Sequence, residues 1–415
     1  MLAFSDFARS IKTETAFDVL ALARRLRTAG RDIIELEIGD SPFPSTPSAV
    51  AAAIDALQRD QGHYGPSSGL PEFRQAAADY VRREYGVDVT PENIVPGPGA
   101  KPFEQLFCEA FLNPGDHVLV FSPYFPTYPP NIARRGAQMI LSPLEERNAF
   151  RPNLDDVRRF VQADPKAKAI FLNSPHNPTG SVIPPDDLAA IAELIRDKEI
   201  AVLSDEPYDR MVWQGKHSTL LQFPGMLDQC VAVYSFSKSY SMSGWRLGFA
   251  VSSERITSML AKLINTCLSC VPPFTQLAGA AALVNDSAER DRQMSEFRER
   301  VFRLADGLDG IPGIRCPRPA GTFYAYANVT EICRSTGLSS HGLAMYLLEG
   351  ADDQWGVACL GGECFGEAGL GYIRFSCAEP VERLELAVSR IQQALQRKER
   401  IRDYLTTHPA YAWTG

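Results

Sequence analysis

From Ser48 onward the chain alternates between two hydrophobic rhythms. SAVAAAIDALQRD (48–60) and LPEFRQAAADYVRREYG (70–86) place apolar residues at helical spacing and predict helices. Ser48 is expected to cap the first, Pro71 to open the second and Gly86 to stop it. Short apolar runs recur at HVLVF (117–121), AKAIFLN (167–173), IAVLSDE (200–206), VAVYSF (231–236) and LGFAV (247–251), with helical stretches such as 186–198 between the earlier ones. Strands alternating with helices predict a parallel sheet covered on both faces.

The two ends of the chain read differently. Residues 17–29 predict a short helix, followed by the extended piece DIIELEIGDSPFPSTP. After Pro273 a long helical stretch runs to about Leu308, then come GTFYAYANV, a helix near 341–348, VACLGG, YIRFSCA and a helix over 380–398. The expected fold is α/β: a large doubly wound, mostly parallel-sheet unit over 48–289, and a smaller α+β unit joining 1–47 to 290–415. No internal repeat or low-complexity linker interrupts it.

Composition narrows the function classes. The 415 residues are 45% hydrophobic and 22% charged, which excludes a disordered tail or a coiled-coil rod. A formal charge of −8 argues against a nucleic-acid groove, which needs clustered Lys and Arg. No run of 18 apolar residues is present, and the opening MLAFSDFARSIKTET, with Asp6 so early, does not read as a signal peptide. Nine cysteines at irregular spacing do not read as a disulfide framework and fit a reducing cytoplasm. Cys267 and Cys270 have metal-like spacing but no second pair, so no metal is expected.

The sharpest chemical motif is YSFSKSYSMSGWRLG (234–248). A lysine at a strand end, flanked by Ser235 and Ser237 with Arg246 beyond, suits a phosphorylated aldehyde: the amine can form a Schiff base while hydroxyls and guanidinium hold the phosphate. A solvated loop with one Lys and one Arg is the bland alternative. PGPGAKP (96–102) precedes a predicted helix over 103–112, whose free N–H groups favour an anion.

These motifs, with YGPSSGLPEFR, SPYFPTY, NSPHNPTG, SDEPY, GTFY and CFGEAGLGYIRFS, fall in one order along the chain. In that order the sequence resembles the class I/II aminotransferases, enzymes of fold type I that use pyridoxal 5'-phosphate, from about Ile34 to Ile391. The resemblance implies a homodimer with shared active sites, acting on an amino acid and a 2-oxo acid; the charge and hydropathy above add the expectation of neither nucleic acid nor membrane as partner, and the cysteines that of a cytoplasmic location. A lyase or synthase of the same fold, such as a carbon–sulfur lyase, shares every cofactor residue. A regulator that binds the cofactor without catalysis would need a DNA-binding unit, for which the match leaves no room.

Carried over by position, Lys238 matches the Schiff-base lysine, whose amine then moves a proton between substrate Cα and the cofactor. Asp205 matches the acid facing the pyridine nitrogen, although a strand-end turn residue would look the same. Tyr208 and Asn177 match the partners of the ring's phenolic oxygen, Asn177 also belonging to a turn. Gly99, Ala100, Lys101, Ser235, Ser237 and Arg246 match the phosphate set, and Tyr64 one that reaches the neighbouring subunit's phosphate. Tyr124 matches the aromatic stacked on the ring, or is a core tyrosine. Arg374 matches the two-pronged grip on the substrate α-carboxylate, with Gly39 and Asn177 beside it. His176 reads as a structural neighbour, since Lys238 already fills the role of base.

Lys101 stands at a helix start, where a cation opposes the helix dipole and needs a compensating anion. The phosphate or a surface carboxylate would serve. The other reading turns the amine toward the substrate, as in some bacterial aspartate aminotransferases that resemble this chain, and makes the partner acidic: aspartate, glutamate or 2-oxoglutarate. Gly361-Gly362 before Cys364-Phe365-Gly366, and Ser243, depart from the family's commoner residues, and the tail KERIRDYLTTHPAYAWTG is not typical of it.

Overall fold

The computed structural model describes residues 2–11 and 14–415; Met1, Lys12 and Thr13 of the opening segment lie outside them. In chain order the strands are β1 (Asp32–Glu35), β2 (Ile94–Gly97), β3 (His117–Ser122), β4 (Gln138–Pro143), β5 (Ala167–Asn173), β6 (Ala201–Asp205), β7 (Cys230–Ser235), β8 (Gly248–Val251), β9 (Tyr324–Asn328), β10 (Trp355–Ala358), β11 (Leu360–Gly361) and β12 (Tyr372–Ser376). Seven form one sheet in the order β2-β8-β7-β6-β5-β3-β4. Its centre is parallel, and β8 runs antiparallel to both β7 and β2. The link from β7 to β8 carries only the one-turn helix Phe236–Ser239 and a 3₁₀ turn, so the chain reverses instead of crossing the sheet.

The second body is built around the three-stranded sheet β11-β12-β9 and the parallel pair β1-β10. Each body has its own apolar interior. Phe73, Phe236 and Phe249 fill one face of the large sheet, and Phe103, Phe107 and Phe171 the other. Phe297, Phe323, Phe375 and Leu384 centre the second body. Burying such a side chain contributes about 1.5–3 kcal/mol, so these faces drive the assembly.

Several local expectations change. Ser48 does not cap its helix, Pro47–Gln58: Thr46 precedes it and makes no side-chain cap bond. Instead the N–H of Ser48 (3.1 Å) and of Ala49 (3.3 Å) donate to the Asp286 carboxylate. Asp286 also separates the long helical stretch into Pro273–Asn285 and Ser287–Asp309. The helix Glu254–Leu268 and strands β2 and β4 carry no expectation from the sequence reading. β2 is four residues ending in Pro-Gly, and β4 is a partly exposed edge, so neither shows a clean apolar run. Gly86 stops its helix as expected, at φ +67°.

Candidate active site

The carboxyl ends of the central strands open toward β12 and the segment after β1, leaving a cleft of about 350 Å³. Lys238 lies on its floor, in the turn after β7, half-buried, with its amine donating to the Gly39 carbonyl. Burial lowers its pKa to about 8, and the charges of Arg374, Arg246 and Lys101 act the same way against Asp40. Gly39 admits this contact because it has no side chain: a Cβ there would fall 1.8 Å from the Tyr324 hydroxyl.

Asp205 ends β6 and accepts a hydrogen bond from the Tyr128 hydroxyl at 2.7 Å. Burial raises its pKa, and the Tyr128 bond opposes that rise. Tyr208 and Asn177 come from the turns after β6 and β5, Asn177 Nδ2 donating to the Tyr208 hydroxyl at 3.5 Å. Arg374, on β12, reaches both bodies: Nη1 donates to Asn177 Oδ1 at 2.9 Å and Nη2 to the Glu37 carbonyl at 2.6 Å. Its guanidinium lies 4.2 Å over the Tyr324 ring, which fixes the plane it presents to the cleft.

At the other end, Ala100, Lys101, Ser235, Ser237 and Arg246 line one corner. Gly99 takes φ +90°, and a Cβ there would meet Arg246 Nη2 at 2.5 Å; one on Gly248 would meet Gly99 C at 2.8 Å. Arg246 is held by donating to the carbonyls of Ser243 at 2.8 Å and Pro98 at 3.0 Å. This corner has free backbone N–H groups at the start of helix Lys101–Phe111, two hydroxyls and one guanidinium. That donor set fits a phosphate dianion. With a buried amine of lowered pKa and a carboxylate at the far side of the floor, the residues present fit pyridoxal phosphate.

Three predicted residues do not line this cleft: Gly99, which packs behind Arg246, Tyr124 and Tyr64. Tyr124 does not line it: its backbone N–H donates to the Phe365 carbonyl at 2.9 Å and its ring packs on Gly366. Phe125, one residue on, lines the cleft instead. The motif gave two adjacent aromatics and no means to tell which faces inward. Tyr64 is 88% exposed and stands away from this protomer's cleft. His176 is buried beside Thr179, and burial lowers its pKa to about 3, in keeping with a structural role.

The cleft also contains residues that no motif of the sequence marks. Glu14 and Phe17 form part of its rim, and the Lys101 amine sits 2.5 Å from the Glu14 carboxylate and 5.2 Å from the centre of the Phe125 ring. Glu104, one turn into the helix after Lys101, is buried and accepts from Thr127 at 2.5 Å and Asn131 at 3.0 Å. Burial and the charge of Asp205 raise its pKa. Glu37 lines the cleft behind Arg374. An acidic residue inside a motif of apolar neighbours was the available signal for Glu37; Glu104 had the same signal.

The sequence model of the aminotransferase class I and II family matches residues 31–391. An aspartate aminotransferase of Pyrococcus horikoshii is 33% identical over 368 residues, 88% of this chain and 91% of its own. An arginine–pyruvate transaminase of Pseudomonas aeruginosa is 33% identical over 94% of this chain and 97% of its own. Among solved structures, the aspartate aminotransferase of Thermus thermophilus with maleate superposes with a TM-score of 0.88 at 30% identity, covering 95% of this chain and all of that one. The chain belongs to the class I and II aminotransferases, and is a pyridoxal-phosphate-dependent enzyme that transfers amino groups.

Proposed function

We propose that this aminotransferase moves the amino group between an L-amino acid and a 2-oxo acid of which one partner is acidic, and that Lys101 recognises that partner's distal carboxylate. The supporting observation is the Lys101–Glu14 pair: the amine is turned to the cleft and already holds a carboxylate at 2.5 Å. Lys101 lines the phosphate corner, but the hydrogen bond of its amine goes to Glu14. A second reading has its own observation, since Glu14 itself offers a carboxylate on the rim, suited to a cationic side chain, and one relative is named for arginine. A spectroscopic half-reaction screen of the amino acids separates them. Aspartate or glutamate should convert the bound cofactor fastest, and Lys101→Ala should slow these about tenfold or more, as for a lost hydrogen bond between charged groups, while sparing alanine. Arginine as the preferred donor would support the second reading.

Bound pyridoxal phosphate supplies an electron sink for the bonds of the substrate's Cα. The roles proposed for this chain follow from the cleft. Gly99, Ala100, Ser235, Ser237 and Arg246 hold the phosphate. Asp205 keeps a proton on the ring nitrogen, while Asn177 and Tyr208 hold the phenolic oxygen. Phe125 takes the stacking place first read onto Tyr124. Lys238 carries the cofactor and, once released, moves a proton to and from the substrate's Cα. Arg374, with Asn177 and Gly39, holds the α-carboxylate.

The division into a unit over 48–289 and one joining 1–47 to 290–415 is proposed on the apolar cores, which separate there except that Tyr208 and Met211 join the second. A homodimer is proposed from Tyr64, whose exposed phenol would reach the partner's phosphate corner. Mixing Lys238→Ala with Tyr64→Phe protomers should give hybrids with one intact site, and an active monomer in sedimentation would contradict the dimer. A cytoplasmic location rests on nine free cysteines. No helix among the described residues is long and apolar enough to cross a membrane.

A further inference from the structure

Glu37 is fully buried, lines the cleft, and neither of its carboxylate oxygens has a hydrogen-bond partner in another residue; only its own backbone N–H lies close, too poorly aligned for a hydrogen bond. The strand geometry explains its position. Leu36 is tied on both sides, its N–H to the Ala358 carbonyl and its carbonyl to the Ser376 N–H, so the next side chain is carried inward beside β12. Arg374 touches this residue through its backbone, Nη2 donating to the Glu37 carbonyl at 2.6 Å, yet forms no ion pair with its carboxylate. Arg374 Nε is also buried without a partner. A carboxyl and a guanidinium therefore stand side by side, each with unused capacity, where a substrate carboxylate is expected.

Burial raises the Glu37 pKa to about 7. Its own backbone N–H, close to the carboxylate, and the charge of Arg374 hold it down, while Glu35 on its own segment and Glu379 after β12 push it further up. Cys359, between β10 and β11, also faces it; its thiol is pushed up by burial and by Glu37, and stays neutral. An anion docking on Arg374 places a new negative charge beside Glu37 and occupies the cation that favours its ionised form. Both effects favour the protonated carboxyl. A buried carboxyl that no other residue donates to is tolerated far better neutral than charged.

We infer that Glu37 is a positioning residue that takes up one proton as a substrate α-carboxylate docks on Arg374, so that Arg374 offers its full charge to the substrate. The inference rests on the reading of Arg374 given above. Linkage sets the sign. Binding favours the protonated carboxyl, so carboxylate affinity is fully present below the pKa of free Glu37 and is lost as pH rises through it. The loss is about tenfold per pH unit while one proton is linked.

The test uses holoenzyme in its pyridoxal form, with pyruvate and 2-oxoglutarate as probes, which bind through the α-carboxylate but carry no amine to react. Calorimetric titration at about pH 8, in two buffers of different ionisation enthalpy, counts the protons taken up. The visible band of the cofactor counts separately those taken up at Lys238. The wild type should take up close to one proton beyond the absorbance count, and its Kd should rise about fivefold from pH 7 to 8 after correction for the Lys238 linkage. Glu37→Gln should take up none beyond it, lose that rise, and bind several-fold tighter than wild type at the higher pH. An infrared difference spectrum of the wild type should gain a protonated-carboxyl band on binding. A wild-type count equal to the absorbance count, or a Glu37→Gln enzyme with an unchanged count, overturns the inference. The first of these needs no variant, so it decides even where the Gln protein fails to load. If Arg374→Lys binds both probes as the wild type does, the reading of Arg374 fails instead.

Discussion

Lys101 and Glu14 meet across the mouth of the cleft, 87 residues apart in sequence and 2.5 Å apart in space. The pair ties the segment before helix Thr15–Thr28 to the start of helix Lys101–Phe111. It also places a carboxylate where an acidic substrate's own would have to go. Such a substrate must displace Glu14, so the pair subtracts from its affinity. Lys101 is 43% exposed, which keeps the pair to about 0.2–1 kcal/mol. Glu14→Gln should therefore lower KM for aspartate or glutamate by roughly 1.5- to 5-fold and leave alanine unchanged. Steady-state kinetics on the two substrate types measures this, and an equal shift on both would assign Glu14 a purely structural role.

Lys238 gives a prediction that needs no substrate. Only the neutral amine attacks an aldehyde, and burial lowers this amine's pKa to about 8. The neutral form is present above that value and is lost as pH falls through it. The rate at which cofactor-free enzyme captures pyridoxal phosphate should rise with pH and level off above about 8, falling about tenfold per unit below. Stopped-flow absorbance follows it directly. Lys238→Ala should bind the cofactor without the characteristic band and show no turnover. A capture rate flat between pH 6 and 9 would mean the amine is not the group being loaded.

Much of this site was legible because its residues sit in short local motifs at strand ends. AKAIFLN became β5 with the expected bounds, and Lys238, Asp205 and Arg374 stand where their motifs put them. What escaped the sequence depends on distant partners. Asp286 supplies the cap that Ser48 was expected to provide, from 238 residues away. Tyr124 and Phe125 are equivalent as letters, and it takes distant partners, the Phe365 carbonyl on the Tyr124 N–H and Gly366 under its ring, to hold one out of the cleft while the other lines it. Glu37 and Glu104 lie beside apolar residues that dominate the pattern, and Glu14 in a polar stretch with no periodicity, so their convergence on one cleft is a property of the fold.

Tyr128 and Asp205 form a hydrogen bond that works against burial. The role proposed for Asp205 requires its carboxylate, while burial and the charge of Glu206 favour the acid. Tyr128→Phe removes the 2.7 Å donor and keeps the ring that packs on Phe171. The Asp205 pKa should then rise. The stability of its ionised form, lost as pH falls through that pKa, is lost at a higher pH. The acid limb of kcat should move up by about one unit, equivalent to ~1.4 kcal/mol. A pH–rate profile checks this, with circular dichroism to show the fold intact. An acid limb that stays in place would leave Tyr128 a packing residue.

Arg374 carries the most exacting geometry in the cleft. Its two terminal nitrogens are already committed, one to Asn177 Oδ1 and one to the Glu37 carbonyl, while the Tyr324 and Phe365 rings lie 4.2 and 5.0 Å from its carbon. Each commitment fixes an edge of a planar group, so the remaining N–H bonds point in set directions. Lysine keeps the charge but has no plane to hold and a single nitrogen to share. Arg374→Lys should therefore lose the Asn177 bond or the carboxylate, not merely weaken one. Disrupting a buried charged pair costs roughly 2–5 kcal/mol, so kcat/KM for amino acids should fall about 30-fold or more. The loss should fall alike on acidic and neutral substrates, because every amino acid has the α-carboxylate. The absorbance of the bound cofactor should stay nearly unchanged, because Lys238, Asp205 and the phosphate corner are untouched. A loss confined to acidic substrates would instead put Arg374 on the distal carboxylate and leave Lys101 without that role.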